Sequence, residues 1–305
     1  MGTVIVGLIG LVGLELFGWT AALIAMAAAA VYPVLIELSG ALVAENLLTA
    51  FVLAAVYAAL RARRAKMPYG WIAGAGALSG LAALTHENGI VIVLPLMFGV
   101  WTLRPRLRPR ALLGPAVLIL AAALTIAPWT IRNALVMHQF IPISDETGIT
   151  LVGTYNPQSA ANQQVPYKWR VYYGIRQDRQ LVPESGHLSE LQLSDRLQSQ
   201  ALSYIADHPT APLSVAYHNA LRMFELEGSF AWHASAAAES IATRTAGIGV
   251  AGFWVVCLLI LAGAFTRLAR QSPGWVWCVP LLLALSVVLV NVETPRFRAP
   301  VDPFL

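Results

Sequence analysis

Long apolar runs separated by short polar turns cover most of this chain. Crossing the hydrocarbon core of a bilayer as a helix takes about 20 residues, with a range of about 17–25, so each run is interpreted as a membrane helix. Several runs are at or under that length, which predicts tight turns or irregular helix ends at the membrane surface. The runs are Val4–Phe17, Thr20–Ile36, Leu42–Leu60, Trp71–Leu84, Gly89–Leu103, Ala111–Trp129, Gly247–Thr266 and Trp275–Val290.

One long polar stretch interrupts these runs, and it is far longer than the usual connection of about 4–6 residues. It divides the chain into N-terminal membrane helices at 1–130, an extramembrane segment at 131–245, and C-terminal membrane helices with a tail at 246–305. Apolar residues at helical spacing predict a helix from Ser189 to Ala206. A second amphipathic helix follows, and we expect it to lie flat in the membrane interface. Its apolar stripe comprises Leu213, Ala216, Tyr217, Ala220, Leu221 and Phe224.

Composition agrees with this pattern. The 305 residues are 57% hydrophobic and only 12% charged, whereas soluble proteins average about 25% charged residues. This hydrophobicity excludes a disordered chain. The two cysteines, Cys257 and Cys278, each lie inside an apolar run and offer no disulfide framework. We therefore predict an all-α, polytopic integral membrane protein with about eight membrane helices.

The basic residues predict the orientation in the membrane. Half of the 20 Lys and Arg residues lie in three clusters, Arg61–Lys66, Arg104–Arg110 and Arg267–Arg270, which contain none of the 16 acidic residues. Cytoplasmic loops carry such an excess of basic residues, and all three clusters fit one topology. The 131–245 segment then lies on the extracytoplasmic face of the cell membrane. Short basic loops do not form a groove that follows phosphates, so no nucleic-acid partner is expected.

Acidic and imidazole side chains in the turns on that face are candidates for a site. Glu45 begins a helix, where it is either an acid favoured by the helix dipole or a carboxylate that faces an interior cavity. His86 and Glu87 lie between two apolar runs, as ordinary turn residues or as functional groups. They are adjacent and lack the i, i+4 spacing that brings two ligands to one helix face, so the sequence predicts no metal site and leaves dependence on a divalent metal open.

Arginines beside the membrane exits are the other candidates. Arg296 and Arg298 lie in the C-terminal tail, and Arg132 closely follows Trp129 at the end of an apolar run. Positive charge on the outer side opposes the usual orientation bias. Guanidinium groups bind phosphate through paired hydrogen bonds, which favours a lipid-linked phosphate as partner. The alternative is that these arginines extend to the headgroups of membrane lipids.

Four stretches, taken in order, resemble the GT-C glycosyltransferases of family 39, which are related to protein mannosyltransferases and lipid A aminoarabinose transferases. These stretches are Tyr32–Asn46, Gly80–Asn88, Pro128–Pro157 and Pro295–Pro303. They are similar to the family's Ser-Gly…Thr/Ser-Glu segment, its Gly-Leu-Ala-x-Leu-Thr-Arg-Pro-Glu turn, the entry to its periplasmic region and its Pro-Arg-Tyr-Arg-x-Pro signature. His86 stands where the family usually has Arg. Against the family pattern, the first helix, the first outer loop with its acidic motif and the last helix are expected to be missing.

The resemblance implies transfer of a sugar from a polyprenyl-phosphate donor to an acceptor on the extracytoplasmic face. It makes Arg296, Arg298, Arg132 and His86 candidates for binding the substrate. Glu45 and Glu87 become the candidates for the catalytic base, because the loop that carries the family's usual base is expected to be missing here. Two other interpretations stay open: a transporter or flippase of lipid-linked substrates, and a non-catalytic or fragmentary homologue.

Overall fold

A computed structural model describes residues 1–41, 43–101, 109–292 and 294–305. Every regular element in these ranges is an α-helix or a short 3-10 helix, which confirms the predicted all-α class. The α-helices are, in chain order, α1 (Gly2–Phe17), α2 (Trp19–Val31), α3 (Pro33–Gly40), α4 (Ala44–Arg64), α5 (Pro68–Thr85), α6 (Val93–Trp101), α7 (Pro109–Met137), α8 (Thr147–Thr154), α9 (Pro157–Ala160), α10 (Leu181–Ser185), α11 (Glu190–Asp207), α12 (Ala211–Met223), α13 (Ser229–Ala238), α14 (Thr243–Ala264), α15 (Arg267–Gln271) and α16 (Gly274–Val288).

Three of the described helices, α4, α7 and α14, are long and apolar enough to cross a membrane. A fourth span results if α2 and α3 cross together. Helices α1 and α16 and the stretch Glu87–Trp101 are apolar but shorter. These helices indicate a membrane protein, while the predicted number of spans is not confirmed.

Proline breaks the apolar run from Thr20 to Ile36. The run forms two helices, α2 and α3, which meet at a 58° bend. Pro33 occupies the first turn of α3, and Tyr32 before it is extended, with φ −70° and ψ 116°. The proline ring disfavours a helical conformation of the preceding residue, which accounts for the break at Tyr32.

The chain forms two compact units. Unit 1 comprises Met1–Ile143, Gly247–Ala284 and Arg298–Leu305, and unit 2 comprises Ser144–Ala246 and Leu285–Phe297. The division into three consecutive segments stays a prediction.

The core of unit 1 depends on close approach of helix backbones. Helices α4 and α5 form a hairpin, and α7 packs against α5. A Cβ atom added at Gly76 would lie 2.2 Å from the carbonyl oxygen of Leu118, and one added at Gly80 would lie 2.8 Å from that of Ala122. Because both pairs advance in the same direction, α5 and α7 run parallel.

Unit 2 is built on α8, α11 and α12. Helix α11 begins with a capping box, in which the Ser189 hydroxyl accepts from the backbone of Gln192 and the Gln192 side chain accepts from the backbone of Ser189. This confirms the predicted helix to within one residue at each end. Helix α12 confirms the second predicted helix, and Leu213, Tyr217 and Phe224 of its apolar stripe are exposed.

Candidate functional site

One end of unit 1 gathers four of the candidate residues. Glu45 begins α4, and the turn with His86 and Glu87 ends α5, the next helix of the same hairpin. Arg132 lies in the last turns of α7, which runs parallel to α5. Antiparallel packing of α4 on α5 and parallel packing of α5 on α7 therefore place these side chains at a common end of the bundle.

Glu45 is the most deeply buried of them, with 1% of its surface exposed. Its carbonyl oxygen accepts a hydrogen bond from the Thr49 hydroxyl at 2.6 Å. The amide of neighbouring Asn46 donates to the carbonyl oxygens of Leu38 and Ala41, at 2.6 and 3.3 Å. The start of α4 is thus tied to the end of α3, and this link fixes the position of Glu45. Burying a carboxylate is costly, and an ionisable residue that is kept inside a membrane protein is therefore a candidate for function.

The His86–Glu87 turn is half-buried and is joined to the neighbouring helices by backbone hydrogen bonds. The backbone of His86 donates to Ala82 at 3.0 Å, and the backbone of Gly89 donates to His86 at 2.8 Å. A 3-10 helix, Glu87–Ile92, begins directly afterwards. At Gly89 a Cβ atom would lie 2.5 Å from the carbonyl oxygen of Ala82, so the chain can turn this tightly only with glycine there. The turn therefore holds both side chains beside the end of α5.

Arg132 is exposed on the last turns of α7. Its guanidinium lies 5.1 Å from the centre of the Trp129 ring and donates to the Asn133 side chain at 3.1 Å. Trp129 in turn donates to the carbonyl oxygen of Ile143 at 2.8 Å. Helix α7 continues past Trp129, where the apolar run ends, because its polar residues bond the returning chain. The arginine is positioned by these contacts while its charge faces outward.

The opposite end of unit 1 is basic. Glu15, near the end of α1, pairs with Arg61 at 3.0 Å and with Arg64 at 3.1 Å at the end of α4. Arg63 donates to the carbonyl oxygen of Gly99 in α6. The cluster Arg104–Arg110 lies outside the described residues except for its last two positions. The candidate acids and the Arg61–Lys66 cluster thus occupy opposite ends of the bundle.

Arg298 lies in the interior of unit 1, with 1% of its surface exposed. Its Nε donates to Asp302 at 3.1 Å, and the guanidinium stacks on Phe253 with 3.6 Å to the ring centre. The hydroxyl of Tyr32 donates to the other oxygen of Asp302 at 2.9 Å. The tail is expected at the outer surface, whereas the structure packs 298–305 into the core. Arg298 therefore faces Asp302 and Phe253 instead of an open surface, and its predicted role in donor binding stays a prediction.

Arg296 belongs to unit 2, although it is only two residues away. One third of its side chain is exposed, and it lies 3.5 Å from Glu239, which is mostly buried. Its guanidinium also contacts the ring of Phe297. The structure thus assigns the two arginines of the tail to different units.

Sequence reasoning missed a buried charged cluster in unit 2. Arg222, 3% exposed, pairs with Glu227, and the Glu227 carboxylate also contacts Nδ1 of His218 at 2.7 Å. Arg222 further bonds the side chain of Asn219 and the carbonyl oxygen of Pro166. Glu227 returns to α12 because the chain turns at Glu225, whose φ is +56°. Glutamate gives no sequence signal for that conformation, so the pairing could not be anticipated.

Burial also changes the acidity of two side chains in unit 2. Burial raises the pKa of Asp178, and a hydrogen bond from Gln200 partly opposes this. Burial, with a smaller contribution from nearby Tyr167, raises the pKa of Tyr155 to about 12. The Tyr155 hydroxyl donates to the carbonyl oxygen of Leu289 at 2.6 Å, so it acts as a structural hydrogen-bond donor.

Across the described ranges, His, Cys, Asp and Glu side chains do not form a group of three that could hold a metal ion. A protein-only metal centre therefore has no candidate among these residues.

Comparison with known proteins gives one match. No curated protein and no solved structure matches this chain. Residues 1–131, which contain Glu45, His86 and Glu87, match the model of the dolichyl-phosphate-mannose-protein mannosyltransferase family.

Proposed function

We propose that this protein is a membrane glycosyltransferase that moves a sugar from a polyprenyl-phosphate donor to an acceptor on the extracytoplasmic face. The observation that carries the proposal is the family match over residues 1–131. That region contains the buried Glu45 and the adjoining His86–Glu87 turn at one end of the helix bundle. The bundle itself has helices long and apolar enough to hold such a site in a membrane.

The reaction needs a proton acceptor for the attacking hydroxyl and positive charge for the departing phosphate. Glu45 and Glu87 are the acids at the candidate end, and Glu45 is the better fixed of the two because Asn46 ties its helix turn to α3. Among the arginines, Arg132 is exposed and Arg296 is partly exposed, whereas Arg298 is buried against Asp302. Because Arg132 is exposed at the same end of unit 1 as Glu45, it is the favoured ligand of the donor phosphate. Arg296 belongs to unit 2, and its role as a ligand stays a prediction.

Turnover by the purified protein in liposomes tests the proposal. The donor is polyprenyl-phosphate-linked mannose with a labelled sugar, the acceptor is a membrane extract, and the measured quantity is label that leaves the lipid carrier. Glu45→Gln should lower the rate by about 10²–10⁴-fold, the usual contribution of a positioned acid or base. Glu190→Gln is the matched control, because Glu190 is an exposed acid in the first turn of α11.

The outcomes separate the function from the residue assignment. Equal rates in Glu45→Gln and the wild type would reject the role of Glu45 and leave the reaction standing. Binding of the donor without any release of label would favour a non-catalytic homologue.

A further inference from the structure

Unit 1 contains a cavity of about 590 Å³ that the sugar-transfer proposal does not use. This volume falls within the range of about 300–1,000 Å³ that is typical of sites for small ligands. The cavity lies between α1, α14, α15 and α16. Six of its lining residues are Phe17, Leu259, Gly263, Leu268, Arg270 and Trp277.

The cavity is at the basic end of unit 1, away from Glu45. Phe17, which lines it, is two residues beyond Glu15, and Glu15 pairs with Arg61 and Arg64. Arg270 belongs to the third basic cluster of the sequence. The cavity is therefore distinct from the candidate site at the other end of α4 and α5.

The lining combines apolar side chains with a single cation. Among the described lining residues Arg270 has the only charged side chain, and Thr266 adds a hydroxyl group. It is exposed, and no described acidic side chain forms an ion pair with it. Trp277 lies at the same rim, where its Nε1 donates to the Ser272 hydroxyl at 2.6 Å, and tryptophan favours the boundary between lipid tails and headgroups. This combination fits a ligand with an apolar chain and an anionic head.

The helix that forms one wall of the cavity is itself open to lipid. Only 17% of the apolar window of α14 is buried inside the protein. Leu258, Leu259 and Leu261 are each more than half exposed on it. A lipid chain can therefore reach the cavity directly from the bilayer.

We propose that this cavity binds an anionic phospholipid, with one acyl chain between α1 and α14 and the phosphate at Arg270. Basic pockets between membrane helices are suited to anionic headgroups, because each Lys or Arg near the surface adds attraction for them. The guanidinium of Arg270 can donate two parallel hydrogen bonds to one phosphate.

Two variants test the two halves of the site. Arg270→Gln removes the cation, and Arg267→Gln is its control, because Arg267 lies on the same short helix outside the lining. Gly263→Leu fills the cavity, since a Cβ atom there meets no atom within 4 Å. Gly74→Leu is the control for that change, because Gly74 has the same open surroundings on α5.

Native mass spectrometry of the delipidated protein in detergent provides the measurement. The added lipids are phosphatidylglycerol, phosphatidylcholine with the same acyl chains, and undecaprenyl phosphate. We expect preferential retention of phosphatidylglycerol, an affinity about fivefold lower in Arg270→Gln, and a change of under about twofold in Arg267→Gln. Gly263→Leu should lose both phospholipids, whereas Gly74→Leu should keep them.

Three results would overturn the assignment. Equal losses in Arg270→Gln and Arg267→Gln would show that general surface charge governs binding. Equal retention of the two phospholipids would contradict the phosphate site at Arg270, because the charge of the headgroup would then make no difference. Displacement of phosphatidylglycerol by undecaprenyl phosphate at equal concentration would assign the cavity to the polyprenyl carrier. Circular dichroism and thermal melting of each variant test whether its fold is retained.

Discussion

Arg298 is held inside unit 1 by side chains from three different helices or turns. Asp302 lies one turn further along the tail, while Tyr32 and Phe253 come from distant parts of the chain. Taking a guanidinium and a carboxylate out of water is costly, and their attraction offsets that cost only when the remaining polar atoms are also bonded. The hydroxyl of Tyr32 supplies one of those bonds. Tyr32, Asp302 and Arg298 therefore form one hydrogen-bonded network.

Removal of the Asp302 carboxylate should therefore lower the free energy of unfolding far more than removal of a surface carboxylate. We expect Asp302→Ala to lower the free energy of unfolding by about 3–5 kcal/mol, because the Arg298 charge stays buried without this carboxylate. Glu184→Ala is the control: its pair with Arg196 is about half exposed, and such pairs contribute about 0–1 kcal/mol. Thermal unfolding in detergent measures the stability of both variants. Similar melting temperatures for Asp302→Ala and Glu184→Ala would contradict the network.

Sequence reasoning finds the chemical type of such residues and misses their partners. It nominates Arg298 because two arginines close to a membrane exit are unusual, but the burial of Arg298 depends on Phe253, 45 positions earlier in the chain. Likewise, His218 and Glu227 become neighbours only because Glu225 adopts a left-handed conformation. Pairings of this kind depend on tertiary contacts, and hydrophobic periodicity carries no information about them.

At the level of helices, hydrophobic runs predict the positions of the elements closely. The run Trp71–Leu84 lies inside α5, and the run Gly247–Thr266 overlaps nearly all of α14. The errors have local causes. Pro33 breaks one run into two helices, and α7 extends eight residues beyond its run to Met137, because Thr130 and Asn133 bond the returning loop. An apolar run predicts which part of a helix contacts lipid or the protein core. It does not predict the residue at which the backbone hydrogen bonds of the helix end.

The parallel contact of α5 and α7 leads to a prediction within one helix. Gly76→Ala should destabilise the protein by about 1–3 kcal/mol, because the new Cβ would meet the Leu118 backbone and force the helices apart. Gly74→Ala, half a turn away, meets nothing and should be neutral or stabilising by about 0.5–1 kcal/mol. Thermal melting of the two variants gives the comparison. A gain of stability in both would mean that helix propensity, and not contact with α7, governs this face, because alanine favours the helix more than glycine does. An equal loss in both would also contradict a specific contact at Gly76.

For the whole molecule, the distribution of charged residues between the two ends of unit 1 predicts an orientation in the membrane. Arg61, Arg64 and Arg270 lie at one end of unit 1, and Glu45 and His86 lie at the other. The sequence predicts this separation from the basic clusters alone, because the positive-inside bias requires them to share a side. Length and composition identify three described helices that are able to cross a membrane, and α5 runs parallel to one of them, α7, along the same bundle. If α7 crosses the membrane, α5 crosses with it, and the stretch Glu87–Trp101 must return the chain between them.

Labelling of single cysteines tests this topology directly. With Cys257 and Cys278 replaced by alanine, Met67→Cys places a thiol in the turn between α4 and α5, and His187→Cys places one in unit 2; both positions are exposed. Three crossings separate them if Glu87–Trp101 returns the chain, so an impermeant maleimide should label His187→Cys in intact cells and Met67→Cys only after permeabilisation. Labelling of both from one side would mean that an even number of crossings lies between them, and the antiparallel return would be wrong. If Met67→Cys is labelled in intact cells and His187→Cys only after permeabilisation, the number of crossings is as predicted but the orientation is reversed. Glu45 and His86 would then lie on the cytoplasmic face.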